Sequence, residues 1–285
     1  MEIIISVLQD TVLDCLKMLP FLFAAFLLLE TLEHHTSEKM NHALAKAGNW
    51  GPLVGAVLGF VPQCGFSIMA SDFFAGGVIS MGTLLSVYLS TSDEALVILI
   101  TNPGHLQDIL RLVICKIIIG AAAGYLVLLS ETLIHKKHPE KKKEIKDLCK
   151  NCGCEEEGIL RSALRHTVQV FTYLFIITFL LNLLLSGIGF EKVSGILLSD
   201  TIFQPFLAAL IGLIPNCGAS VVLTQLYLDG IISFGSVISG LSASAGLGLI
   251  VLFRMNRHLK ENMKVLGLLY GISVISGVIL QAMMG

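Results

Sequence analysis

Apolar runs long enough to enter a bilayer alternate with short polar stretches along most of this chain. Windows of high hydropathy fall at residues 18–32, 109–130, 167–186 and 265–284. Two longer runs fill 51–102 and 203–253. The first of these is broken at Val61-Pro62-Gln63-Cys64-Gly65 and again at Ser90-Thr91-Ser92-Asp93-Glu94. The second is broken at Ile214-Pro215-Asn216-Cys217-Gly218. None of the runs alternates with period two, so a β-barrel is excluded. The pattern predicts an all-α, polytopic membrane protein of about ten spans with broken or re-entrant helices.

The pattern repeats. Under a shift of 153 residues, Gly59, Pro62, Cys64, Gly65, Ser67, Gly77, Ile79, Ser80, Gly82 and Ser86 fall on Gly212, Pro215, Cys217, Gly218, Ser220, Gly230, Ile232, Ser233, Gly235 and Ser239. These are 10 identities in the 28 positions from 59 to 86, without a gap. The same shift brings His105 onto His258 and Gly124 onto Gly277. A fixed offset across a Pro-x-Cys-Gly-x-Ser motif points to duplication rather than shared composition. The division expected is a first transmembrane repeat over 1–130, a cytosolic Lys- and Cys-rich linker over 131–165, and a second repeat over 166–285.

Charge orients the two halves. The polar segments 33–49, 131–166 and 254–264 hold two, nine and four Lys or Arg, together 15 of the 19 in the chain. Segment 101–108 has none, although its counterpart under the shift is the basic 254–261 stretch. Equivalent loops of opposite character belong on opposite sides of the membrane, so the repeats are predicted to be inverted. Each repeat then crosses an odd number of times, three with re-entrant hairpins or five without.

Composition narrows the function. Residues are 54% hydrophobic and only 14% charged, where a soluble domain carries about one quarter charged. That excludes a soluble enzyme, a nucleic-acid binder and a disordered chain. No signal peptide is expected, because Met1-Glu2-Ile3-Ile4 lacks a basic n-region. No Walker loop is present and no catalytic constellation is found, so neither ATP-driven transport nor an enzyme is expected.

The chemistry concentrates at the breaks. Proline ends one helix, glycine permits irregular backbone, and Ser67 or Ser220 is expected to cap the helix that follows. Such breaks persist at membrane depth only where they line a cavity or are buried in protein. A symmetry-related pair of them is the pattern of a secondary transporter. Gln63 and Asn216 offer amide dipoles there. Cys64 and Cys217 read either as a thiol pair for a soft metal or metalloid, or as small packing residues. Asp93 and Glu94, with Ser92 before them, are candidates for a coupling proton or a cationic cargo, as is Asp72. Ser90, Thr91, Ser242 and Ser244 are further candidates to coordinate an ion, or else pack helices. Cys149, Cys152 and Cys154 form a candidate soft-metal site in the linker, which His135 and His138 could join. Glu30, Glu33, His34 and His35 are read as solvated charges at the mouth of the first span.

With these residues in view, the chain resembles the family of ten-span heavy-metal exporters, labelled arsenic efflux proteins or manganese transporters. The resemblance covers nearly the whole chain. It rests on Val-Pro-Gln-Cys-Gly-Phe-Ser at 61–67, Ile-Pro-Asn-Cys-Gly-Ala-Ser at 214–220, Ser-Thr-Ser-Asp-Glu-Ala at 90–95, Leu-Glu-His-His at 32–35 and the charged central loop. It implies a multi-pass exporter in the plasma membrane and leaves the cargo open between arsenic and manganese. The expected function is secondary-active export of a heavy-metal ion or metalloid, with proton coupling as one route. The alternative is a carrier of small organic or inorganic anions. No resident cofactor and no nucleic-acid partner are expected. The lipid bilayer and a small ion are the partners, and a homodimer is left open.

Overall fold

The computed structural model describes residues 50–60, 64–91, 93–100, 106–135 and 203–284, together with scattered residues between 8 and 27 and between 160 and 180. Every described residue in those two scattered stretches is helical. Helicity from residue 8 puts the first segment about ten residues ahead of its hydropathy window. Asp10, Asp14 and Lys17 lower the hydropathy of that stretch.

Ten helices are fully bounded. The first half has α1 (Gly51–Gly59), α2 (Cys64–Ala75), α3 (Met81–Ser90), α4 (Asp93–Ile100) and α5 (Leu106–His135). The second has α6 (Gln204–Gly212), α7 (Cys217–Leu228), α8 (Phe234–Ala243), α9 (Gly248–Met255) and α10 (Leu259–Met284). The described residues contain no strand. Both ends of α1, α2 and α3 map onto α6, α7 and α8 under the 153-residue shift, and the start of α5 maps onto that of α10. Pro52 and Pro205 each stand in the first turn of their helix, where the missing N–H costs nothing.

Local chemistry repeats as faithfully. After α2, Gly77 takes φ +71°, and Val78 N–H donates to the Phe73 carbonyl at 2.8 Å. After α7, Gly230 takes φ +71°, and Ile231 N–H donates to the Leu226 carbonyl at 2.9 Å. Both are glycine-terminated Schellman stops. Ser80 and Ser233 then cap α3 and α8, accepting from the N–H of Thr83 and Ser236. A Cβ on Gly230 would meet no atom within 4 Å, so only backbone strain opposes a side chain there. Gly230→Ala is therefore expected to cost about 1 kcal/mol, read as a lowered Tm in detergent.

The directions of the helices follow from which glycines meet which residues. A Cβ at Gly51 would strike Thr83, and one at Gly59 would strike Val87 and Ser90, so α1 runs parallel to α3. Gly82 faces Gly124 and Leu128 while Gly120 faces Ser86 and Ser90, so α3 and α5 are antiparallel. For α1 and α3 to be parallel, α2 must run back between them. Helices α1 and α2 are therefore the arms of a hairpin, as are α6 and α7. At 1.5 Å per residue the arms are about 14 and 18 Å long, short of the ~30 Å hydrocarbon thickness. Among the described residues, α5, the 234–255 stretch and α10 are long and apolar enough to cross a membrane, and the other described helices are shorter.

Hydropathy shows one break in 203–253, yet four helices lie there and the structure has three breaks. The last separates α8 from α9 at 244–247, where Gly246 has φ +54°. Ser-Ala-Gly-Leu is too small and apolar to register as a polar interruption.

The surface has the polarity of a protein dissolved in lipid. On α5, Leu110, Ile118, Leu126, Leu129 and Leu133 are exposed, and on α10 Ile275, Ile279 and Met283 are. Serine and threonine lie inside, with Ser67, Ser86, Ser90, Ser220, Thr224 and Ser239 fully buried. Only 33% and 28% of the apolar windows of α5 and α10 are buried, against 89% for 234–255. The interrupted helices thus form the centre, and α5 and α10 form the wall.

Candidate functional site

The tip of each hairpin is set against an interrupted helix. Gly59, at the end of α1, faces Ser90 at the end of α3, and Gly212, at the end of α6, faces Gly240 in the last turn of α8. Small residues at these contacts let the backbones meet. Ser86 Oγ donates to the Pro52 carbonyl, and Ser239 Oγ donates to the Pro205 carbonyl at 2.8 Å, so a hydroxyl ties each hairpin arm to its partner helix.

The two repeats are then joined. Helix α2 packs on α9, and α7 packs on α4. A Cβ on Gly248 would lie 2.8 Å from Ser67 Cβ, so the start of α9 rests on the first turns of α2. Ser71 Oγ stands 2.8 Å from the Gly248 carbonyl, 2.6 Å from the Ser67 carbonyl and 2.7 Å from the Tyr88 hydroxyl. A single hydroxyl thereby links α2, α3 and α9.

Lys116, in the middle of α5, is fully buried. Its ammonium donates to the Thr91 carbonyl at the end of α3 and, at 2.8 Å, to the Leu241 carbonyl of α8. One nitrogen reaches both, so the two carbonyls are no more than about 6 Å apart. The interruptions of the two repeats therefore converge on Lys116.

Elsewhere in the interior stand polar groups with no hydrogen-bond partner. Asp72 on α2 is 1% exposed, and neither of its carboxylate oxygens is hydrogen-bonded. Ser242 and Ser244, at the end of α8, are buried with unpartnered hydroxyls. Buried polar groups are normally satisfied, and those left over mark places where something else binds.

Several expected site residues can now be placed. Cys64 and Cys217 are the first residues of α2 and α7, and Asp93 and Glu94 open α4. The side chains of these four lie outside the described residues, as do Gln63, Ser92, Cys149, Cys152 and Cys154. The cap of α7 is Asn216, whose Oδ1 accepts from Gly218 N–H at 2.7 Å. Ser220 is therefore not the cap. It lies one turn inside α7, and its carbonyl accepts from Thr224 Oγ1 at 2.7 Å. Ser67 likewise stands inside α2 and packs against α9. In α7 the residue between proline and cysteine supplies the capping side chain, and Ser220 stands four positions beyond it. Among the described residues no group of three or more His, Cys, Asp or Glu is placed to hold a metal ion.

Lys116, Ser71 and Tyr88 are absent from the sequence candidates. Lys116 had a signal of its own, an isolated lysine inside the apolar run 109–130, where a charge is costly and usually functional.

Paired hairpins of short helices set against interrupted helices, in two repeats, are a pattern that secondary transporters use. Comparison with known families agrees. The family ArsP_2, described as "Putative, 10TM heavy-metal exporter", matches residues 1–196 and 167–285, and the chain belongs to it. No curated protein and no solved structure shows a significant match to the chain.

Proposed function

We propose that the protein is a secondary-active exporter of a heavy-metal ion or metalloid across the plasma membrane. One observation carries the reading: the interrupted helices of both repeats, each with a hairpin tip against it, converge within hydrogen-bonding distance of one side chain. An alternating-access carrier needs a central site whose two walls move relative to each other, and duplicated interrupted helices supply both walls. Asp72 favours a cationic cargo or a proton over an organic anion, since a buried carboxylate without a partner repels anions.

Topology follows from charge. The segments 131–166 and 254–264 are cytosolic and 101–108 is external, so the repeats are inverted. With a Cys placed singly at position 105 or 258, an impermeant maleimide added to intact cells is expected to label 105 alone above the parent chain. Labelling of both would remove the inversion and with it the two-walled site.

Cargo is tested by growth. A strain stripped of its own exporters is grown with and without this gene on Mn(II), arsenite and a panel of other metals and small anions. A gain in tolerance confined to metals or metalloids supports the reading. A gain confined to anions would transfer the site to the alternative cargo class.

A further inference from the structure

Two groups to which Lys116 donates are unusual in kind. They are main-chain carbonyls, one from each repeat, and each stands at a helix interruption. The Thr91 carbonyl lies just past the end of α3. The Leu241 carbonyl would normally accept from the N–H of residue 245, but that N–H turns to the Ala243 carbonyl at 3.0 Å. Two unsatisfied carbonyls at the C-terminal ends of half-helices form a pocket of partial negative charge. In carriers with interrupted helices such ends hold a coupling cation. Here a lysine reaches in from the wall helix and fills the place.

The duplication sharpens the point. The residue equivalent to Lys116 under the 153-residue shift is Leu269, which is fully buried in an apolar cluster. One half of the molecule has a cation where the other has a hydrocarbon. A lysine retained for packing alone would be an expensive choice at this depth. The titratable residues on neighbouring elements are Tyr88 on α3, Asp72 on α2, and Asp93 and Glu94, which open α4 two and three residues beyond Thr91.

We propose that the Lys116 ammonium is a tethered substitute for a monovalent coupling cation, occupying a site built from the interruption carbonyls of both repeats. The protein then needs no sodium or potassium to hold its repeats together. Removing the side chain leaves a vacant site that a free monovalent cation of fitting size will enter. The binding claim stands on the geometry, and only its part in transport rests on the exporter reading.

The experiment uses the full chain in detergent and reads Tm against increasing NaCl, KCl or methylammonium chloride, at ionic strength held constant with choline chloride. The native protein is expected to be indifferent to the exchange. Lys116→Ala is expected to melt lower in choline and to recover saturably, by about 5 °C at a hundredfold excess over Kd. Lys116→Gln has an amide that donates to both carbonyls and fills the space, so it stays folded and indifferent. Lys116→Ser is run beside Lys116→Ala as a second small replacement. No saturable recovery in either small variant overturns the proposal. So does a native protein with the same cation dependence, because the site would then lie elsewhere. Failure of both small variants to accumulate in potassium-rich cells, with Lys116→Gln folded, also overturns it, since a filled site would have held them together. Recovery in a protein that moves no metal in the growth test would keep the cation site and remove the exporter reading.

Discussion

Gly212→Val is expected to abolish accumulation of the folded protein, whereas Gly267→Ala and Gly271→Ala are expected to leave it unchanged or slightly stabilised. All three change a helical glycine, and only the surroundings differ. A Cβ at Gly212 would run into the Gly240 carbonyl oxygen, with the carbonyl carbon 2.9 Å away, and both atoms are backbone. Nothing there can turn aside, so α6 must shift off α8 and take the tip of the second hairpin with it. The overpacking cost is at least about 3 kcal/mol. At Gly267 and Gly271 a Cβ meets no atom within 4 Å, and the gain in helix propensity is at most about 1 kcal/mol. Monodispersity in detergent and Tm distinguish the three variants. A folded Gly212→Val protein with native Tm would show that the hairpin arm does not rest on α8.

Asp72→Asn is expected to reduce transport by about a hundredfold while Tm stays level or rises. The carboxylate is buried beside the Ser71–Tyr88–Gly248 linkage that joins the repeats, and nothing hydrogen-bonds it. A buried carboxyl without a partner adds nothing to stability, and a neutral amide of the same shape replaces it at little cost. What the amide cannot do is take up a proton or pair with a cation. A charged contact to a cation or proton is worth up to about 3 kcal/mol, which converts to about a hundredfold in rate. Flux into inside-out vesicles of whichever metal gives tolerance, alongside Tm of the purified variant, tests both halves. Native flux in the Asn variant would assign Asp72 to packing.

The repeat was legible because its residues are irreplaceable for local reasons. Gly77 and Gly230 are left-handed turn positions, Ser80 and Ser233 are caps, and Gly82 and Gly235 are backbone crossings against Gly124 and Gly277. Each leaves an identity that survives when the apolar positions between them drift. The hairpin of α1 and α2 could not be read from hydropathy, because an arm of 9 residues has the same composition in a hairpin as in a short crossing. The parallel course of α1 and α3 reveals it. The interruption at 244–247 was invisible because small residues break a helix without adding polarity. Lys116 was overlooked for the opposite reason. It is polar but single, and charge was read in the loops, where its meaning is topological.

The parallel pairing of α1 with α3 also sets an order of assembly during synthesis. Nine apolar residues cannot leave the translocon as a spanning segment. Their resting place against α3 does not exist until residues 81–90 have emerged, and the wall behind α3 waits for α5, which ends at His135. The first hairpin therefore lacks its full packing surface until some sixty further residues have been made. The second hairpin meets the same delay, since α8 and α10 follow it in the chain. A ribosome that stops just after Leu228 releases a nascent protein whose last hairpin has no helix to lie on. Membrane quality control would meet that species as an unsupported apolar loop and degrade it.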